Sequence, residues 1–424
     1  MLRSLFSKRH SKKGTLLTNT VMLYILTFSN YLLSLVVVPY ESRVLDPALF
    51  GLLGTANAIM LYFQLVMDFG YLLSGTQEVA KCREDKSALS RIFTAVTMGK
   101  ILLIVVSAVG LQILCSVIPA WQDKRLLLTL FFVATALNSL LPDYLYRGME
   151  RMSSITIRTV CIKVFFTIGI FVVLKEPGDI WKIPLVTAIG NLAAVAATLV
   201  HLKRKLGICL QAPDFREMWQ TMRRSATFFY SRIATTAYSA LNTVILDIIS
   251  GTGAVVGFYN SADKLIATGK SALTPISDSL YPYMVKNRDF KLVKKVLLVL
   301  EPCIFVFCAA CFVWAEPLCL LFFGPEYGPA GNVLRAMLPV GVIVLPSYIL
   351  GFPMLTAMDL TKHANYSVIF GSILHVINLA VLCLTGNISM ITLGIAVSVA
   401  EALILGYRIV VIWIHRDRLR KEQS

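Results

Sequence analysis

The sequence predicts an all-α polytopic membrane protein with twelve transmembrane helices in two six-helix lobes and both termini in the cytoplasm. Three observations carry that expectation. The 424 residues are 57% hydrophobic and only 15% charged, with a mean hydropathy of +0.72, an apolar load foreign to a water-soluble chain of this length. Apolar runs of about 20 residues, enough to cross roughly 30 Å of hydrocarbon, recur along the whole chain between charge, Pro or Gly. Basic residues, finally, collect in alternate loops.

The runs fall at 16–39, 49–76, 92–119, 126–146, 154–174, 183–202, 225–250, 254–285, 296–315, 332–358, 365–385 and 388–415. Spans of about 23 residues leave about 150 for all connections and tails, too few for a folded soluble domain. The first run follows a basic stretch, as a signal peptide does, but it is too long and lacks a small-residue cleavage site, so it is read as a retained helix. With the N-terminus inside, the cytoplasmic segments hold 29 of the 40 Lys and Arg residues, counting Arg158 and Arg408 among them, and the outer loops hold five. That bias sets the orientation. It also makes most of the formal charge of +16 topological and removes nucleic acid as the expected partner.

The longest internal basic stretch lies at mid-chain, dividing it into an N-terminal lobe (1–202), a basic cytoplasmic linker (203–224) and a C-terminal lobe (225–424). An offset of 206 residues aligns Phe50-Gly51-Leu52-Leu53-Gly54-Thr55-Ala56-Asn57 with Val256-Gly257-Phe258-Tyr259-Asn260-Ser261-Ala262-Asp263. Even-numbered halves imply parallel repeats related by an axis along the membrane normal, with a site near the midplane.

Amides and charges inside spans mark function, because hydrocarbon penalises them. The second span sets Asn57, Gln64, Asp68 and Tyr71 on one stripe, and the first adds Asn30; a water-filled cavity wall and interhelical hydrogen bonding both account for such stripes. The eighth span is the most polar, with Asp263, Lys264 and Lys270; Lys270 is too deep to reach either interface comfortably. The seventh contributes Arg232 and Asn242. Lys100 and Lys163 lie in the third and fifth spans, where snorkelling and cavity lining are equally open, and Arg43 lies in the first outer loop. His375 with Asn378, and Glu401, are single polar positions in the last two spans. The candidate substrate-binding cations are thus Lys264, Lys270, Arg232, Lys100, Lys163 and Arg43. The candidate polar lining is Asn30, Asn57, Gln64 and Asn242. An excess of fixed cations over acids favours an anionic substrate.

Phosphate-binding loops, zinc motifs and hydrolase nucleophile motifs are lacking, so no cofactor is expected and the protein reads as a transporter, not an enzyme. Cys308 and Cys311 form a C-x-x-C within an apolar helix and read as packing residues.

One stretch, Val38-Pro39-Tyr40-Glu41-Ser42-Arg43-Val44-Leu45-Asp46-Pro47 followed by Phe50-Gly51, resembles the bacterial polysaccharide-biosynthesis flippases of the multidrug, oligosaccharidyl-lipid and polysaccharide exporter superfamily, with Asp46 in place of the usual Gly. Further matches are Asp68-Phe69-Gly70, Thr76-Gln77-Glu78-Val79-Ala80, Arg147-Gly148-Met149-Glu150-Arg151, Val256 to Lys264, and Phe323-Gly324-Pro325-Glu326-Tyr327. The resemblance implies a flippase in the bacterial cytoplasmic membrane. It would move an undecaprenyl-pyrophosphate-linked oligosaccharide repeat to the outer leaflet, for O-antigen, capsule or exopolysaccharide. The resemblance further implies coupling to H⁺ or Na⁺, for which Asp68, Asp263 and Glu401 are candidates, and work alongside a polysaccharide polymerase and a chain-length regulator. A drug or metabolite antiporter of the same fold and a lipid II flippase are the alternatives. A polymerase is disfavoured because the longest outer loop, 316–331, is short.

Overall fold

The computed structural model describes residues 36–212, 214–236 and 240–417, with isolated positions 22, 29 and 33. Among these residues every regular element is helical. In order they are α1 (Pro47–Asp68), α2 (Tyr71–Lys81), α3 (Lys86–Val117), α4 (Pro119–Gln122), α5 (Arg125–Ser139), α6 (Asp143–Gly148), α7 (Met152–Val173) and α8 (Lys182–His201), the last entered by a 3₁₀ turn and left by a π-helical turn, Leu202–Leu206. There follow α9 (Phe215–Thr236), α10 (Leu241–Ser250), α11 (Gly253–Asn287), α12 (Phe290–Val313), α13 (Ala315–Phe323), α14 (Ala330–Leu350), α15 (Phe352–Ala357), α16 (Thr361–Leu384) and α17 (Met390–Ile414).

Nine helical stretches among the described residues are long and apolar enough to cross a bilayer. The expected first span lies mostly outside the described residues. The seventh is interrupted: α9 begins within the predicted linker and runs to Thr236, and α10 has only 10 residues. The eighth, α11, is 35 residues long but carries Asp263, Lys264, Lys270, Asp278 and Lys286, so length and apolarity part company there. Three predicted spans are broken near one end. The second breaks at Phe69 (φ 38°) and Gly70 (φ 75°), the fourth at Leu140–Pro142, and the tenth at Gly351. The first of these breaks removes Tyr71 from the polar stripe of α1 and buries it fully. The segment expected as the long outer loop is also more ordered than a loop, since α13 and a 3₁₀ turn at Pro325–Tyr327 pack Phe323 and Tyr327 inside.

The chain divides into two compact units, Met1–Val44 with Ala56–Ile233, and Leu45–Thr55 with Ala234–Ser424. The core of the first gathers Tyr71, Val79, Phe93, Val96, Tyr144 and Tyr146 from α2, α3 and α6. In the second, Leu345, Ile349, Leu355, Met284 and Val411 fill the space between α11, α14, α15 and α17.

The opening of α1 belongs to the second unit, where it crosses α11 on glycine. A Cβ on Gly51 would overlap the Gly253 carbonyl and lie 2.7 Å from the Gly257 nitrogen, and one on Gly257 would overlap the Pro47 carbonyl. Small residues let two backbones touch in a medium where water-driven collapse is unavailable. The glycines paired by the 206-residue offset, Gly51 and Gly257, here face each other, as equivalent positions do at a symmetric contact. Around the crossing, Tyr327 sets its ring edge-on to Phe50 and Phe258 (centroids 6.0 Å in both cases) and tilted against Phe323 at 5.6 Å. Gly324, at φ 116°, makes the turn that brings Tyr327 back. Burial pushes the Tyr327 phenol well above its ordinary pKa, so the residue serves as neutral packing.

Because backbone atoms are the neighbours, the α1–α11 crossing has no room to give. Gly257→Leu is expected to cost about 3 kcal/mol or more and to lower the unfolding temperature of the detergent-purified protein, whereas the same change at Gly406, which has open space around its Cα, should leave it near wild type.

Candidate functional site

Lys100 points inward from α3 and is 6% exposed. Its ammonium lies 3.4 Å from Asp68 Oδ1 at the end of α1 and donates to the Ser139 carbonyl at the end of α5. The break after Asp68 places the carboxylate there: Phe69 stacks on Phe229 at 4.5 Å, and Gly70 presses against the Ser225 and Phe229 backbone, where a Cβ would meet atoms at 2.8 Å. Ser74 bonds Ser225 at 2.6 Å and Glu78 pairs with Arg224 at 3.2 Å on the same seam. The first unit therefore holds a cation from one predicted group, the substrate binders, against an acid from another, the coupling candidates.

A second pair of the same kind lies in the other unit. Lys270, midway along α11, meets Glu401 of α17 at 2.5 Å, with the two side chains 28% and 12% exposed. The pairing crosses 131 residues of sequence and joins the two positions that the sequence ranks separately as substrate cation and coupling acid. An ammonium in hydrocarbon is tolerated where a carboxylate answers it.

The remaining candidates divide by environment. Asn242 is buried at 4% exposure, giving its amide to Tyr259 Oη at 2.8 Å and bonding His375 Nε2 through its carbonyl oxygen at 2.9 Å. Beside it Thr243 donates to Asn260 Oδ1 at 3.0 Å. This network ties α10, α11 and α16 together and takes Asn242 out of any polar lining: it is interhelical glue. Lys264, Asn57 and Arg43 are exposed, and Gln64, Asp263, Arg232 and Lys163 are half-buried. Asn30 lies outside the described residues.

Two basic residues counted as loop charges, Arg158 and Arg408, lie within the predicted spans and are engaged between helices. Arg408 of α17 is 5% exposed and donates through Nε to Ser367 Oγ at 2.9 Å and through Nη1 to the hydroxyl and carbonyl of Ser347. Arg158, in the second turn of α7, pairs with Asp143 at the start of α6. Their reassignment leaves the inside bias of the loops intact. Both fall within the apolar runs as first drawn, which is the signal that could have singled them out. Tyr146 and His201, bonded at 2.8 Å and stacked, are another pair the sequence does not announce.

Among the described residues no group of three His, Cys, Asp or Glu could hold a metal ion, and all nine cysteines are free; Cys308 packs where a Gly341 Cβ would lie, 2.8 Å from its sulfur.

Long apolar helices joined by intramembrane ion pairs define a class, the polytopic membrane proteins. The fold is similar to that of a multidrug resistance MATE family transporter of the MOP superfamily in an inward-facing conformation (TM-score 0.68, 14% identity, covering 95% of this chain and 98% of that one). It is also similar to the lipid II flippase MurJ (TM-score 0.66, 11% identity, 93% and 87%). The sequence family described as "Polysaccharide biosynthesis protein" matches residues 16–288, and the chain belongs to that family. It is 26% identical over 371 residues to a protein of Escherichia coli (strain K12) named "Putative O-antigen transporter", covering 86% of this chain and 89% of that one. A protein of the same name from Shigella dysenteriae is 26% identical over 364 residues.

Removing one member of a buried pair strands the other. Lys100→Met is therefore expected to destabilise the protein by roughly 3 kcal/mol, and Lys100→Met with Asp68→Leu by clearly less; a double-mutant cycle on thermal unfolding in detergent measures the difference.

Proposed function

We propose that this protein flips an undecaprenyl-pyrophosphate-linked oligosaccharide repeat from the cytoplasmic to the outer leaflet of the bacterial inner membrane, with both termini cytoplasmic, by alternating access coupled to an ion gradient. Family membership supports the polysaccharide pathway. The single observation that carries the mechanism is the Lys270–Glu401 pair on the most polar membrane helix.

An ammonium held by a carboxylate in low dielectric has two stable arrangements. With Glu401 ionised, its charge is spent on Lys270. A proton on Glu401 cancels that attraction and leaves the ammonium to an anion, and pyrophosphate is the strongest anionic group on a lipid-linked sugar. Release of the proton on the other side restores the pair and expels the anion. Lys100 with Asp68 repeats the device in the first unit, so one proton-sensitive pair serves each half. In this reading Lys264 and Arg232 supplement the positive field, and no cofactor takes part. The fold is similar to those of both a multidrug transporter and a lipid II flippase, so the fold does not choose the cargo; the family supports a polysaccharide one.

In cells lacking the chromosomal copy, Lys270→Ala is expected to abolish surface polysaccharide while the protein still accumulates in the membrane, and Lys270→Arg to restore part of it. Glu401→Gln, which mimics the protonated acid, should still bind polyprenyl pyrophosphate but lose gradient-driven transport in vesicles. Normal polymer in Lys270→Ala would remove Lys270 from the site, and transport insensitive to both H⁺ and Na⁺ gradients would remove the coupling step.

A further inference from the structure

A groove of about 680 Å³ runs between α7 and α8 in the first unit, lined by none of the residues of the Lys100–Asp68 and Lys270–Glu401 pairs. Its wall on α8 is a small-residue stripe, Gly190, Ala193, Ala194 and Ala197, opposite Ile157, Ile162 and Phe165 of α7. Ile157, Phe165 and Ile189 are 59%, 46% and 51% exposed, which on membrane helices means contact with lipid chains. From Ile189 to His201 the groove extends about 18 Å at 1.5 Å per residue, a little more than half of a hydrocarbon core of roughly 30 Å. That is the depth of one leaflet.

The polar groups sit at one end. Tyr146, Arg158, His201 and Lys205 close the groove where α7 begins and α8 passes into its π-helical turn. Asp143 takes one nitrogen of the Arg158 guanidinium; Nε and Nη1 are buried and have no hydrogen-bond partner among the described residues. A buried guanidinium with two idle donors costs stability unless an acceptor arrives. Arg158 and Asp143 cancel, and Lys205, with Arg151 close enough to act on His201, leaves this end positive, the complement of a phosphodiester. The described contacts of residues 22 and 40 with α7 and its C-terminal end lie away from the groove. Met22 accepts a hydrogen bond from Thr156, and Tyr40 packs on Phe171 and donates to the Leu174 carbonyl. At 100° per residue Thr156 lies about 140° to 180° around α7 from Arg158, Cys161 and Phe165.

We propose that this groove is a binding site for an anionic glycerophospholipid of the leaflet at the basic end, its phosphodiester on Arg158 and Lys205 and one acyl chain along the Gly190–Ala197 stripe. The lipid supplies the acceptors that Arg158 lacks and fills apolar space that no side chain of the described residues occupies. Its identity does not depend on what the protein transports.

The test uses the full chain in phosphatidylcholine nanodiscs doped with a trace of phosphatidylglycerol bearing a photoactivatable acyl chain, with adducts located by peptide mass spectrometry. Adducts are expected on the segments 157–165 and 189–201, displaced by unlabelled phosphatidylglycerol at about tenfold lower mole fraction than by added phosphatidylcholine, the ratio that one or two charge-assisted hydrogen bonds supply. Arg158→Gln should erase that ratio while leaving chain adducts in place. Ala197→Trp, which fills the groove from a lipid-exposed position and leaves Arg158 intact, should remove the adducts with the unfolding temperature unchanged. Absence of adducts on these segments, equal displacement by the two phospholipids, or adducts that persist in Ala197→Trp would each overturn the proposal. So would stronger displacement by undecaprenyl phosphate than by phosphatidylglycerol, which would make the groove a substrate subsite instead.

Discussion

A charge carried into hydrocarbon must find its counterpart inside the protein, and most of what distinguishes this fold follows from that constraint. Lys100 finds Asp68, Lys270 finds Glu401, and Arg408 is enclosed by the oxygens of Ser347 and Ser367. Each of these solutions joins separate helices and is therefore also a tertiary joint. The joints are of two kinds. Arg408 is braced by the hydroxyls of Ser347 and Ser367 and the Ser347 carbonyl. The Lys–carboxylate pairs are the joints that the proposed alternating access would open.

The rigid parts of the molecule use the opposite device, the absence of side chains. Glycine at positions 51, 253 and 257 brings α1 and α11 into backbone contact, and Gly70 does the same for the seam between α2 and α9. Most of the short motifs through which the sequence resembles flippases fall on such seams. Asp68-Phe69-Gly70 is the break that turns the chain and sets the carboxylate before Lys100. Phe323 to Tyr327 is a turn that returns an aromatic ring to Phe50 and Phe258. Gly148 lies against Val79, where a Cβ would meet the valine at 2.5 Å, which links the Arg147 motif to the Thr76 motif. Most of these motifs are packing instructions; of the residues proposed for transport, Lys100, Lys270 and Glu401 lie outside them and Asp68 within one.

The α7–α8 groove adds a third relation to the bilayer. Lipid is elsewhere a solvent for this protein; in the groove it becomes a component, because Arg158 has donors that neither Asp143 nor a lipid tail satisfies.

The sequence by itself determined the class of fold, because the bilayer imposes a length and an apolarity on each span that can be counted residue by residue, and it determined the family through the order of its motifs. It also showed which polar residues were out of place in hydrocarbon, Lys270, Lys100, Asn242 and Glu401 among them. It could not assign their roles, since hydropathy carries no information about partners 32 or 131 residues away. Only the tertiary structure decided that Lys270 and Glu401 are one device and Lys100 and Asp68 another, that Asn242 is spent on Tyr259 and His375, and that Arg158 and Arg408 belong to helices. Pairing is decided by which helix faces meet, and those faces are chosen by the glycines and aromatic rings that let the helices approach.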